Sequence, residues 1–455
     1  MSDALLDQIL RLAAPRTDAA EVYFVASQNQ PVEFENNHLK SLQTKATQGV
    51  ALRVVSKGRL GFASSTDLTR LEDLVDAAVQ TAEIGSPADF EFAANFHSWD
   101  GTVNFAKPQA PQTLPTTAEL VELGEHLIRR MHDYNPEILV DVGFDLVSRT
   151  VKIATSRDVY AERSSQLANV SLSGNLVRGE DFLQAFSFEA SRDSQPNYDR
   201  VLQQVLQKYR RAEHTASISS GSYPVLFLPR AAAITFGSLF SSVLSGQSVV
   251  QNASPLADKV GQTLFDRRLT LFEDPSLGVN ACSFDDEGTP TSRKAYIDYG
   301  TVQGFYWDRR WAARASQTQS QAQNQAQSQA SQTSTGNGFR GGLSRPGPGP
   351  VNLCIAPGSH STEALIASMG EGLIVDQVLG AGQSNQLAGE FSVNLDLGYK
   401  VEQGKIVGRV KNTMVAGSIF EAFQQVEFGD TAEWVGGRAF MPSLLFGQLG
   451  VASRQ

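Results

Sequence analysis

Asp285, Asp286 and Glu287 stand side by side in the run FDDEGTPTSR, Phe284 to Arg293. Three adjacent carboxylates can pair with guanidiniums, accept N–H groups from a bound chain or offer oxygen ligands to a hard cation. Adjacent side chains seldom converge on one ion, so no metal site is assigned to them. Gly288 and Pro290 follow at once, and the run must turn sharply instead of continuing as a helix or strand. A second polar loop, STGNGFR from Ser334 to Arg340, lies beyond a stretch of alternating apolar and polar residues at 294–307. Two polar loops on a β-rich scaffold are a common way to build a cleft. The candidate substrate-binding residues are therefore Asp285, Asp286, Glu287, Gly288, Gly336, Asn337, Gly338 and Arg340. Gly336, Asn337 and Gly338 are read as positive-φ backbone that aims Arg340 at one of the three carboxylates.

Other motifs carry less chemistry. Gly336, Gly338 and Gly341 spell G-x-G-x-x-G, but a Gln-rich tract precedes them and prolines follow, where a dinucleotide site requires a strand and then a helix. His126 and His132 share a predicted helix but lie six residues apart, on different faces. No G-x-S-x-G is present, and Cys354 with His360 lacks a visible orienting partner. No catalytic residue is assigned.

The elements that must position these loops read as an α+β protein: N-terminal α/β units followed by a β-rich, barrel- or sandwich-like domain. Residues 1–85 form a first α/β domain, opened by a helix behind Ser2 and continued by strands from Glu21 to Ser65. Residues 86–215 form a second, with prolines in a linker at 86–115. A Thr116/Glu119 capping box starts a helix there, antiparallel strands follow between Ile138 and Ala190, and a helix runs from Asn197. Residues 216–455 form the third, with a buried helix at 229–244 stopped by Gly246. Within it the tract at 315–334 contains only Ala, Ser, Gln, Thr and Asn, has no large apolar side chain and reads as a disordered loop insertion.

Composition bounds the function. A chain of 455 residues with 41% hydrophobic and 19% charged residues is globular and multidomain. Its net charge of −10 argues against a surface that tracks phosphates, so nucleic acid is not an expected partner. Two cysteines, Cys282 and Cys354, fit reduced thiols in a cytoplasmic protein. No apolar run reaches the ~20 residues of a membrane-spanning helix.

FDDEGTP, STGNGFR, the PGPGPVNLCIAPG run at 346–358 and the GQSNQLAGEF run at 382–391 resemble, in that order, the C-terminal domain of the TldD/PmbA family of metallopeptidase-related proteins. The resemblance implies a zinc peptidase scaffold. Its catalytic TldD branch carries His-Glu-x-x-x-His on a helix at the start of that domain and a cysteine near the C-terminus. Here the corresponding helix reads Pro229-Arg230-Ala231-Ala232-Ala233-Ile234, and 429–455 holds neither Cys nor His. The chain is thus closer to the PmbA (TldE) branch. The resemblance implies a non-catalytic subunit of a metallopeptidase complex, with no cofactor of its own and zinc held by a TldD-like paralogue. Together the two would bind an extended peptide. Two other readings fit the same residues: a peptidase using Asp285, Asp286, Glu287 and Cys354, or a peptide-binding homodimer.

Overall fold

The computed structural model describes residues 4–98, 114–192, 194–322, 332–381 and 384–454. Among these, two large sheets and a short hairpin carry the strands, and the fold is α+β as expected.

The first sheet collects β1 (Ala19–Glu35), β2 (His38–Leu42), β3 (Lys45–Ser56), β4 (Arg59–Ser65), β5 (Phe96–Ser98), β6 (Leu139–Thr155), β7 (Val159–Arg178) and β8 (Asp181–Arg192). Its order is β4-β3-β1-β6-β7-β5, with β2 beside β1 and β8 beside β7. The segments read as separate units at 1–85 and 86–215 therefore share one sheet, because β1 pairs β6 antiparallel from Glu21↔Thr155 to Phe34↔Val142. Periodicity along a strand reports its apolar face and not its neighbour.

Helices α1 (Ala4–Ala13) and α2 (Leu71–Glu83) seat Leu6, Ile9, Leu74 and Ala78 on Val22, Val50, Leu52 and Val54. The Ser2 cap of α1 and the linker residues 99–113 lie outside the described residues. Helix α3 (Thr117–Tyr134) begins at the Thr116/Glu119 capping box, and α4 (Tyr198–Arg211) at Asn197, whose side chain accepts the Arg200 N–H.

The second sheet enters through β9 (Gly221–Phe227), followed by α5 (Pro229–Val243) and α6 (Gly246–Val250). Then come β10 (Leu271–Glu273), β11 (Lys294–Asp298), β12 (Thr301–Val302), α7 (Arg309–Ala322), β13 (Gly338–Phe339), β14 (Gly347–Pro348) and β15 (Leu353–Ile355). After α8 (Thr362–Ser368) run β16 (Glu371–Leu379), β17 (Glu390–Glu402), β18 (Lys405–Arg409) and β19 (Thr413–Ser418), then α9 (Ile419–Ala422), β20 (Val426–Val435) and β21 (Ala439–Ser453). Strands β9, β16, β17, β19 and β21 close on themselves, since β21 pairs both β19 and β9, and the sheet is a barrel.

The barrel strands alternate between two cores. Val225, Phe227, Leu373, Val375, Leu444 and Phe446 pack with α5, while Leu226, Ile374 and Leu445 face the core that contains α3 and α4. Both sides of each strand are thus apolar, and the barrel is joined to the first unit through its own wall.

Two expectations change. Gly246 does not stop α5, which ends at Val243 with Leu244 as its C-cap; it opens α6 beside Trp307, where a Cβ would lie 2.1 Å from the indole. The tract at 315–334 is not all loop, because α7 continues to Ala322 with Ala312 and Ala315 packed on Trp307, and Ala and Gln extend a helix already begun. Residues 323–331 lie outside the described residues. Among the described residues no helix is long and apolar enough to cross a membrane.

Phe236 is fully buried among Phe227, Phe391, Phe423 and Phe446, with ring centroids 4.9–5.3 Å away. Phe236→Ala is expected to lower the unfolding free energy by about 3–5 kcal/mol, read from the urea midpoint of the barrel transition.

Candidate functional site

The acidic turn packs against the face of the first sheet turned away from α1 and α2. Alternation on β1 and β3 places Glu21, Tyr23, Ala51 and Arg53 on that face, with Glu21 directly opposite Arg53 and Tyr23 opposite Ala51. On β6 and β7, Val151 is opposite Arg163, and Ile153 opposite Ala161. Phe284 fills the apolar centre of this face with Tyr23, Ala51, Ile153, Val159 and Ala161, and Gly288, at φ +74°, rests on Val159.

Around that centre the charges interlock. Arg53 donates Nε–H to Glu21 Oε1 at 2.8 Å and an Nη2–H to Glu287 Oε1 at 2.9 Å. Arg163 bonds Asp286 Oδ1 and the Phe284 carbonyl, each at 2.5 Å, with its guanidinium over the Phe284 ring. Arg340 pairs with Glu21 and lies over the Tyr23 ring. The sequence reading aimed Arg340 at Asp285, Asp286 or Glu287; instead its guanidinium reaches Glu21 and touches the turn only at the Asp286 carbonyl, 3.3 Å away. The turn's carboxylates are already occupied by Arg53, Arg163 and backbone N–H groups, whereas Glu21 still accepts a second guanidinium.

The two polar loops do come together. The Gly338 N–H donates to Asp285 Oδ2 at 2.8 Å, the Asp286 N–H to the Gly338 carbonyl at 2.8 Å, and the Arg340 N–H to Asp286 Oδ2 at 2.9 Å. Asp285 Oδ1 accepts the Glu287 and Thr289 N–H groups. Of the three residues read as positive-φ, only Gly336 is so, at +74°. Gly338 has a different reason to lack a side chain, since a Cβ there would lie 2.3 Å from Glu287 Oε2. Asn337 donates to Glu273 Oε1 and Oε2 and to the Gly349 carbonyl, and Glu273 also takes the Val351 N–H and the Tyr296 hydroxyl.

The loops read as lining a cleft are largely buried: Asp285, Glu287 and Asn337 are 0% exposed, and Asp286 2%. Buried carboxylates persist only when paired or hydrogen bonded, and these meet that condition. Asp286, Phe339 and Arg340 still border a cleft between the two units, so the loops frame it from within. Glu21, Arg53, Arg163 and Glu273 were missed. The signal for the first two was a single charge of opposite sign in each of two apolar strands, AEVYFV and ALRVVS.

Burial raises the Glu21 carboxyl, but Arg53 and Arg340 outweigh it and hold it below its ordinary value. Asp285 and Asp308 have no ion-pair partner among the described residues, and burial followed by the Glu287 charge pushes them up to about 8 and about 7. Backbone N–H bonds to each oppose that rise. Cys354 is fully buried, and burial pushes its thiol up to about 12, which leaves no thiolate for nucleophilic chemistry near neutral pH. His360 is exposed.

At the start of α5, Ala231, Ala232 and Ala233 turn into the core. Arg230 lies 4.4 Å over the Phe186 ring, beside a buried cluster in which Lys208 meets Asp376 at 2.8 Å and Gln377 at 3.0 Å.

A barrel wrapped on a buried helix and clamped to a mostly antiparallel sheet defines a two-sheet α+β scaffold. Residues 220–453 match the PmbA/TldA metallopeptidase C-terminal domain and 20–82 match domain 1 of the same family, so the chain belongs to the PmbA/TldD family. It is 21% identical over 430 residues to a metalloprotease of Methanocaldococcus jannaschii, covering 90% of this chain and 89% of that one. It is 23% identical to the metalloprotease PmbA of Escherichia coli O157:H7, covering 92% and 88%. The crystal structure of TldE from Thermococcus kodakarensis superposes with a TM-score of 0.84 at 22% identity, covering 99% of this chain and all of that one.

Replacing Arg53 with Met leaves Glu287 buried without its guanidinium and is expected to cost about 3–5 kcal/mol of stability, measured by urea denaturation at pH 7. The pH dependence follows from Asp285 and Asp308. Their folded pKa values are raised, so the folded chain keeps protons that the unfolded chain releases above about pH 4. The resulting stability is fully present below that pH and is lost as pH rises through 7 and 8. Thermal melts should therefore show Tm falling between pH 5.5 and 8.5, with a shallower fall in Asp308→Asn. A Tm that climbs across this window contradicts the assignment.

Proposed function

We propose that this chain is the metal-free, TldE-like subunit of a zinc metallopeptidase complex, and that it completes the cleft in which a TldD-like paralogue processes an extended peptide. The observation that carries the reading is the first turn of α5. Zinc requires imidazole, thiolate or carboxylate donors; three alanine methyls supply none, and Arg230 adds a cation stacked on Phe186 instead of a donor. The residues present there do not fit the metal, and no step is routed through it. Among the described residues no group of three or more His, Cys, Asp and Glu could hold an ion elsewhere.

In this reading the chain's own work is binding. Asp285, Glu287, Gly288, Gly336, Asn337 and Gly338 hold the cleft wall rigid from inside, while Asp286 and Arg340 reach its surface. Peptide strands add to sheet edges through main-chain hydrogen bonds. The cytoplasm, with its reducing conditions, is the compartment that suits two unpaired cysteines.

The test is co-expression with a paralogue from the same genome that carries His-Glu-x-x-x-His. Co-purification is expected, with zinc and chelator-sensitive peptide hydrolysis present in the complex and absent from this chain alone. Stoichiometric zinc and hydrolysis by the isolated chain, or a homodimer that excludes the paralogue, would sink the proposal.

A further inference from the structure

The cleft between the two units is a cavity of about 260 Å³ whose lining, among the described residues, includes five arginines, Arg149, Arg163, Arg192, Arg340 and Arg438, and one carboxylate, Asp286. This is an unusual concentration in a chain of net charge −10. Asp286 cannot balance it, because Oδ1 takes Arg163 and Oδ2 takes the Arg340 N–H. Arg340 is itself committed to Glu21, and Arg192 donates to the carbonyls of Ala281 and Ser164.

Two guanidiniums keep donors for a ligand. Among the described residues Arg149, on β6, bonds only the neutral Tyr23 hydroxyl, at 3.1 Å, and Arg438, in the turn between β20 and β21, is exposed and makes no side-chain hydrogen bond or ion pair. They come from different units, one from the first sheet and one from the barrel, and they line the same cavity. Guanidinium donors arranged as planar forks match a carboxylate in two-point contact. The volume is below the ~300 Å³ at which pockets begin to take drug-sized ligands, and suits one residue of a chain rather than a folded surface.

We propose that this cleft is a carboxylate-binding subsite that takes an acidic residue or the free C-terminus of a peptide, with Arg149 and Arg438 making the contacts. The inference rests on the peptide-binding reading and deepens it by naming the chemistry that is recognised. Arg149 and Arg438 bring positive charge that no carboxylate among the described lining residues offsets, which favours an anionic ligand over a cationic one. Because Arg149 and Arg438 belong to different units, an occupied subsite also ties the two units together.

The experiment is isothermal titration of the full chain at low salt with four short peptides: Ala-Ala-Ala-Ala-Glu with a free C-terminus, its C-terminal amide, and the Gln counterparts of both. Binding at least about tenfold tighter for carboxylate-bearing peptides than for the Gln amide is expected, as for charge-assisted hydrogen bonds, and it should weaken with added salt. The two peptides with one carboxylate each separate a side-chain carboxylate from a chain terminus. Arg149→Ala with Arg438→Ala should remove the preference with the thermal midpoint unchanged, and Arg149→Lys with Arg438→Lys should restore part of it. Equal affinity for all four peptides, no binding of any, or an undiminished preference in the alanine pair overturns the proposal. The outcome is separable from subunit assembly: co-purification with the paralogue without carboxylate preference fails this inference alone, and the reverse fails the assembly reading alone.

Discussion

The structure depends on burying opposite charges between two sheets. Glu21 and Arg53 from the first sheet meet Glu287 and Arg340 from the barrel unit in one continuous set of ion pairs, and Arg163 adds Asp286. Each of these carboxylates and guanidiniums would be costly to desolvate alone. Each is tolerable only in the presence of the others, so the arrangement specifies a single way for the turn to sit on the sheet. Apolar contact through Phe284 supplies the attraction, and the charges supply the register.

That constraint explains features that otherwise look unrelated. Gly338 lacks a Cβ because Glu287 occupies the space, and Gly336 turns with positive φ so that its backbone can pass Pro290. Asp285 satisfies three backbone N–H groups instead of a guanidinium, which stitches the acidic turn to the glycine loop. Where the pairing is incomplete, at Asp285 and Asp308, protonation becomes the means of relieving charge. The polar loops are therefore a fastening between units, and the cleft that they border inherits its positive lining from the arginines around the fastening.

Function in this scaffold follows from what surrounds the barrel helix. In α5 the apolar face is retained, and the first turn is alanine against the core with Arg230 stacked on Phe186. The chain carries the family's C-terminal barrel domain with these side chains at its helix terminus, and the cleft bordered by Asp286 carries cationic donors. Binding without metal chemistry in this chain is consistent with both.

Much was legible from residue order alone. The Thr116/Glu119 capping box, the helix from Asn197, the proline-led α5, the strand-rich second half and the family's loop motifs are local signals, each set by neighbours within a few residues. The proximity of FDDEGTP and STGNGFR could be suspected because a cation-bearing loop and an acidic one belong to the same strand-rich segment. What only tertiary structure decided is which charges meet. Glu21, Arg53 and Arg340 lie up to 319 positions apart in the chain, and their pairing arises from the register of β1 on β3 and of the turn on the sheet. Burial of the acidic run was equally invisible, since three adjacent carboxylates read as solvated until distant guanidiniums are brought to them. Local free energies are written along the chain; the compensation of buried charge is a property of contacts that exist only after folding.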